Sequence, residues 1–135
     1  MTTILKNGKI ITPLNVVDDG VVIISDKGLI DYIGNRRNAP NIDGSMVDLK
    51  GNYLTPGLID IHVHGGYGVN FNHPEDLSNK LQTYSSWIVN KGVTGYLCSI
   101  AAPDHQSLVN LITLYVSILE EGVGGAEVLG LHLEG

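Results

Sequence analysis

The apolar residues of this 135-residue chain change their period after Leu54, which limits the folds open to it. Leu58-Ile59-Asp60-Ile61-His62-Val63-His64 alternates with period two, so Ile59, Ile61 and Val63 face one way and Asp60, His62 and His64 the other. Leu77, Leu81, Tyr84 and Ile88 then recur at helical spacing, opened by Pro74-Glu75-Asp76 and closed by Lys91-Gly92. A second strand is predicted near residues 94–101. A helix near 104–120 follows, with Leu108, Leu111, Ile112, Tyr115 and Leu119 on one face, and then a third strand over 128–134. Strand, helix, strand, helix, strand in that order is the pattern of parallel βαβ units.

Residues 1–53 follow a different rule. Glycine supplies 17 of the 135 residues, nearly twice the usual share of about 7%, and it punctuates short apolar runs. Ile4-Leu5, Lys6-Asn7-Gly8-Lys9 and Ile10-Ile11 read as strand, turn and strand with Asn-Gly at the centre. Val21-Val22-Ile23-Ile24, Ser25-Asp26-Lys27-Gly28 and Leu29-Ile30-Asp31-Tyr32-Ile33-Gly34 read as a second hairpin. Residues 35–45 read as loop, Met46-Val47-Asp48-Leu49 as a short strand, and Gly65-Gly66-Tyr67-Gly68 as loop. A β-sandwich-like subdomain is expected over 1–53, with an α/β domain beginning at 54 and running to 135. A (β/α)8 barrel takes about 250 residues, and three strands with two helices cannot close one. The chain is therefore expected to be the N-terminal part of a longer polypeptide.

Composition narrows the function classes. Hydrophobic residues make up 43% and charged residues 16%, which is incompatible with intrinsic disorder. A net charge of −6 without any Lys/Arg-rich run argues against a nucleic-acid or anionic-membrane surface. The single cysteine, Cys98, excludes an internal disulfide framework and fits a reducing compartment. With no apolar run of about 18 residues and no signal-peptide core, the expected location is the cytoplasm.

His62 and His64 lie two apart on a strand, so both imidazoles project from one face with Cα atoms about 6.5–7 Å apart. Two nitrogens at that spacing can meet one metal at about 2.1 Å. A hydrogen-bonded pair in a polar interior, or a fortuitous surface pair, fits the same spacing. Asp60 shares that face one step deeper, and Gly65-Gly66 allows a ligand close to the backbone. On the third strand Leu129, Leu131 and Leu133 are expected to face outward to helices, and Gly130, His132 and Glu134 inward. An inward carboxylate is costly unless paired or bound to a cation, although a Glu at an exposed rim explains Glu134 equally well. His132 reads as structural, Trp87 as packing, His73 and His105 as loop and capping residues, and Cys98 as an inert buried thiol.

The stretch from Leu54-Thr55-Pro56-Gly57 to Asp60-Ile61-His62-Val63-His64-Gly65-Gly66 resembles the opening motif of the amidohydrolase superfamily. Leu129-Gly130-Leu131-His132-Leu133-Glu134-Gly135 resembles a landmark of one branch, the N-acetylglucosamine-6-phosphate deacetylases. The resemblance implies the first strands and helices of an incomplete (β/α)8 TIM barrel behind a small β-subdomain. It implies His62, His64 and Glu134 as metal ligands, one or two divalent ions (Zn2+ or Fe2+), and an acid/base aspartate on a later strand beyond Gly135. It further implies metal-dependent hydrolysis of the acetamide of N-acetylglucosamine 6-phosphate by a full-length homodimer, the 135-residue chain alone being inactive. The partner is a small amino-sugar phosphate rather than a nucleic acid or membrane. A cyclic amidase of the dihydroorotase or hydantoinase kind, or an N-acyl amino acid deacylase, shares the first motif, and a fragment without enzymatic function is the remaining alternative. The second strand departs from the family pattern, reading Leu97-Cys98-Ser99-Ile100 where a Pro-Thr pair is usual.

Overall fold

A computed structural model describes residues 1–134 and divides the chain into two compact units, one spanning Met1–Pro56 and one beginning at Gly57. The first unit is a single five-stranded sheet rather than two facing layers. Its strands are β1 (Thr3–Ile11), β2 (Val16–Ile24), β3 (Ile30–Asn35), β4 (Ser45–Asp48) and β5 (Tyr53–Leu54). β1 and β3 flank β2 in antiparallel pairing, while β4 and β5 both run parallel to β1.

The expected hairpin about Asn7-Gly8 does not form. β1 runs through it unbroken, with Asn7 left-handed at φ 59° and a register shift against β2 between Leu5 and Gly8. The same asparagine that suits a two-residue turn suits a bulge, because both need a left-handed residue. The chain reverses instead at Thr12–Asn15, where the Asn15 N–H donates to Thr12 Oγ1 at 3.1 Å and Thr12 N–H donates to the Asn15 carbonyl at 2.9 Å. The second hairpin forms as β2 and β3, in register at Ile23–Tyr32. One face of this sheet buries Ile4, Val21 and Ile23 beneath Tyr32 and Ala39. The other holds an open apolar hollow of about 220 Å³ lined in part by Leu5, Val22, Ile24, Ile30 and Ile33.

The second unit is built on a three-stranded parallel sheet in the order β10 (Glu127–Leu133), β9 (Val93–Ile100), β6 (Leu58–Val63). β6 leads through a ribbon of β7 (Gly65–Gly66) and β8 (Val69–Asn70) to α1 (Leu77–Ile88). β9, α2 (His105–Glu121) and β10 complete it. The helices bury Leu77, Leu81, Tyr84, Leu111 and Tyr115 against Tyr96, Cys98 and Ile100 of the central strand. Buried hydroxyls are paired: Tyr96 shares a 2.8 Å hydrogen bond with Ser85, and Tyr115 donates to the Phe71 carbonyl at 2.9 Å.

Several local expectations are corrected. The Gly65–Gly68 loop is the β7–β8 ribbon, turned by left-handed Tyr67 (φ 51°) and Gly68 (φ 79°). Glu75 and Asp76 precede α1 instead of filling its first turn, and left-handed Asp76 makes no side-chain cap. Asp104, not His105, caps α2 by accepting from the Ser107 N–H at 2.9 Å. In β10 a register shift between Val128 and Gly130 breaks the simple alternation. Val128 and Leu131 reach the core, Leu129 lies against Gly95, and Leu129 and Leu133 stay exposed rather than covered by helices. Among the described residues no helix is long and apolar enough to cross a membrane.

Candidate metal centre

Parallel pairing places the C-terminal ends of β6, β9 and β10 at one edge of the sheet. His62 lies on the last turn of the β6 alternation, His64 just past that strand, and Glu134 just past β10, where its N–H continues the ladder by donating to the Ile100 carbonyl at 3.0 Å. Their side chains converge. His62 Nε2 and His64 Nε2 stand 3.2 Å apart, and Glu134 Oε2 is 3.0 Å from His64 Nε2 and 3.7 Å from His62 Nε2. Each of the three is about half exposed, at 52%, 50% and 47% of its side-chain surface.

The chemistry of this donor set fits a divalent cation. Two imidazole nitrogens facing each other at 3.2 Å need a proton or a cation between them. Atoms each about 2.1 Å from a tetrahedral centre stand roughly 3.4 Å apart, and the three separations of 3.0, 3.2 and 3.7 Å bracket that value. Two histidines and one carboxylate are also a common set for zinc or iron with a position left open.

The other residues singled out by sequence fall outside this trio. Asp60 turns to the backbone, accepting from the His62 N–H at 3.1 Å where the β6–β9 register slips. His132 packs its ring against that of His62 with centroids 4.6 Å apart, while its Nδ1 lies 3.0 Å from Ser99 Oγ. Sequence reasoning missed Ser99, because a buried serine in an apolar strand carries no signal until its cross-strand partner is known. Burial pushes the Cys98 thiol up to about 12, so it stays protonated and inert at neutral pH. Trp87 is half-buried beside the core and stacks on Tyr67 at 5.3 Å. The His73 ring pairs with neighbouring Glu75, at 3.9 Å.

Comparison with known proteins gives the context of this edge. No family model matches the chain. N-acetylglucosamine-6-phosphate deacetylase of Bacillus subtilis is 34% identical over 137 residues, a match that covers 98% of this chain and 33% of that protein. A dihydroorotase of Trichlorobacter lovleyi is 36% identical, but over only 64 residues and 47% of this chain. Among solved structures, N-acetylglucosamine-6-phosphate deacetylase from Pasteurella multocida superposes with a TM-score of 0.82 at 27% identity, covering all of this chain and 34% of that one. Fold, site and matches define a chain of the amidohydrolase class. Within that class it belongs to the N-acetylglucosamine-6-phosphate deacetylase family. It spans about a third of the length of the curated relatives it matches.

Proposed function

We propose that this chain contributes the first part of a (β/α)8 barrel and the first three metal ligands of an amino-sugar phosphate deacetylase. The full-length protein would hydrolyse the acetamide of N-acetylglucosamine 6-phosphate to glucosamine 6-phosphate and acetate. The observation that carries this reading is the convergence of His62, His64 and Glu134 within 3.0–3.7 Å, from the two outer strands of a parallel sheet, on a chain of which 98% aligns with part of such a deacetylase. Active sites of parallel barrels lie at the C-terminal ends of their strands, and all three residues lie there.

His62 and His64 would hold a divalent ion, zinc or iron, through Nε2, and Glu134 would supply the anionic oxygen that offsets part of its charge. When bound, such an ion polarises the acetamide carbonyl and eases deprotonation of water. The protein residues do the rest of the local work. Asp60 ties the backbone at His62, and the β9–β10 ladder sets the reach of Glu134. The three side chains are about half exposed, so an ion held between them would be open to substrate. The substrate partner is a small amino-sugar phosphate, handled by a cytoplasmic homodimer. The shorter reach of the dihydroorotase match, under half of this chain, disfavours a cyclic amide as substrate.

The test uses Glu134→Gln in the full-length protein, which keeps size and one oxygen but removes the charge. Metal per chain by elemental analysis and turnover of N-acetylglucosamine 6-phosphate should both collapse, while the metal-free protein melts no earlier than wild type. Wild-type metal content and turnover in that variant would make Glu134 a solvated rim residue. The reading would then fall back to an unspecified amidohydrolase.

A further inference from the structure

Ser99 and His132 face each other directly in the β9–β10 ladder, so both side chains leave the sheet on the same face. Ser99 is fully buried, and its Oγ lies 3.0 Å from His132 Nδ1. Among the described residues that hydroxyl has no second partner. If His132 donated from Nδ1, the Ser99 proton would be a buried donor without an acceptor, an arrangement folded proteins avoid. A donating hydroxyl satisfies both groups, because it makes Nδ1 the acceptor and leaves the ring proton on Nε2. His132 in turn rests on His62, with ring centroids 4.6 Å apart and planes tilted by 47°. His62 is otherwise half exposed, and among the described residues the one other ring it meets is that of His64, at 5.2 Å.

We infer that Ser99 is a positioning residue of the metal centre: its hydroxyl fixes His132 as the Nε2–H tautomer, and the fixed ring holds His62 at the angle that aims Nε2 at His64 and Glu134. An exposed imidazole loses rotamer freedom when it binds a metal, and a ring braced beforehand loses less. Side chains one step behind the ligands commonly set metal affinity in this way. The inference rests on the proposed metal site for its consequence, but the tautomer stands without it.

The experiment separates the two. Long-range 15N–1H NMR of the imidazoles in the metal-free protein should show His132 protonated at Nε2 and bare at Nδ1 in wild type and in Ser99→Thr. Ser99→Ala, with no donor to hold Nδ1 bare, should show an Nδ1–H fraction beside the Nε2–H form that a free imidazole side chain already favours. Zn2+ alone, titrated against a competing chelator, should bind Ser99→Ala about tenfold more weakly or worse, with affinity restored in Ser99→Thr. A thermal melt of each variant accompanies the titration. His132 protonated at Nδ1 in wild type would overturn the inference, as would unchanged tautomer and Zn2+ affinity in a folded Ser99→Ala protein. If either variant fails to fold, the wild-type spectrum decides alone. A wild-type protein with the expected tautomer that binds no Zn2+ would remove the metal-centre reading and leave the Ser99–His132 geometry intact.

Discussion

The sheet of the first unit and the sheet of the second are held by different means. In the first, buried apolar residues are few, with Ile4, Val21 and Ile23 forming its one cluster, and Ile30, Ile33, Val47 and Tyr53 stay exposed. Its shape comes from local backbone devices: the Asn7 bulge, the Thr12–Asn15 reversal, and the Asp48 carboxylate accepting from the Lys50 N–H at 2.9 Å. The second unit buries a continuous cluster from Val69 to Ala126, in which Leu81, Tyr96, Cys98 and Tyr115 have no exposed surface. Turn chemistry can shape a sheet without much burial. Aligning side chains from separate strands to within an ångström takes a packed layer behind them, and only the second unit has one.

The sharpest way to break that contrast is Leu81→Ala, which deletes a fully buried side chain and should cost about 2–5 kcal/mol. Cys98 is the chain's single cysteine and reports on the same core. Alkylation at pH 8 should be very slow in wild type, because the thiol is buried with its pKa near 12, and markedly faster in the variant. Equal labelling rates would mean that the helices do not seal this layer. In the first unit Ile30→Ser, at 63% exposure, should change stability by no more than about 0.5 kcal/mol in a denaturant melt. A loss of several times that would show that the exposed face is covered in solution.

The smallest effect concerns acid. Asp48 and Asp104, one in each unit, are held below the usual carboxylate range, Asp104 chiefly by the Ser107 hydroxyl and Asp48 chiefly by the Lys50 backbone N–H. A depressed carboxylate contributes stability that is present above its unfolded pKa and lost as pH falls through the folded one. Asp48→Asn and Asp104→Asn should each leave the melt at pH 7 slightly lower and flatten its decline below about pH 4. An acid limb identical to wild type in both would mean that neither hydrogen bond persists in solution.

Much of the second unit is legible in the sequence because its signals are periodic. The helical spacing of Leu77, Leu81, Tyr84 and Ile88 survives in the fold, and β6 forms where the alternation predicts a strand, with strand ends moved by about one residue. A register slip after Asp60 breaks the alternation itself, so Val63 packs on the core while Ile59 and Ile61 stay exposed. Bulges are less legible. Asn7-Gly8 reads as a turn because the residue preference is the same for both, and only the ladder to β2 decides between them. The shift at Leu129 likewise depends on what faces it across the sheet, which is Gly95. For the site, alternation says which face His62, His64 and Glu134 share, but distance comes from strand order. Parallel βαβ connection brings β10 beside β9 and β9 beside β6, so Glu134 arrives at the histidines across an intervening strand. Ser99 was illegible for the same reason, its partner being 33 residues away.

That intervening strand also sets an order of events. His62 and His64 are contributed by one edge strand and Glu134 by the other, and β6 and β10 share no ladder of their own. The trio cannot assemble until both the β6–β9 and the β9–β10 pairings exist, each closed over a helical crossover whose loop entropy is spent first. Convergence of the trio is therefore a late event in folding, later than formation of α1 or α2, and uptake of the cation proposed for it would time the completion of this sheet during refolding.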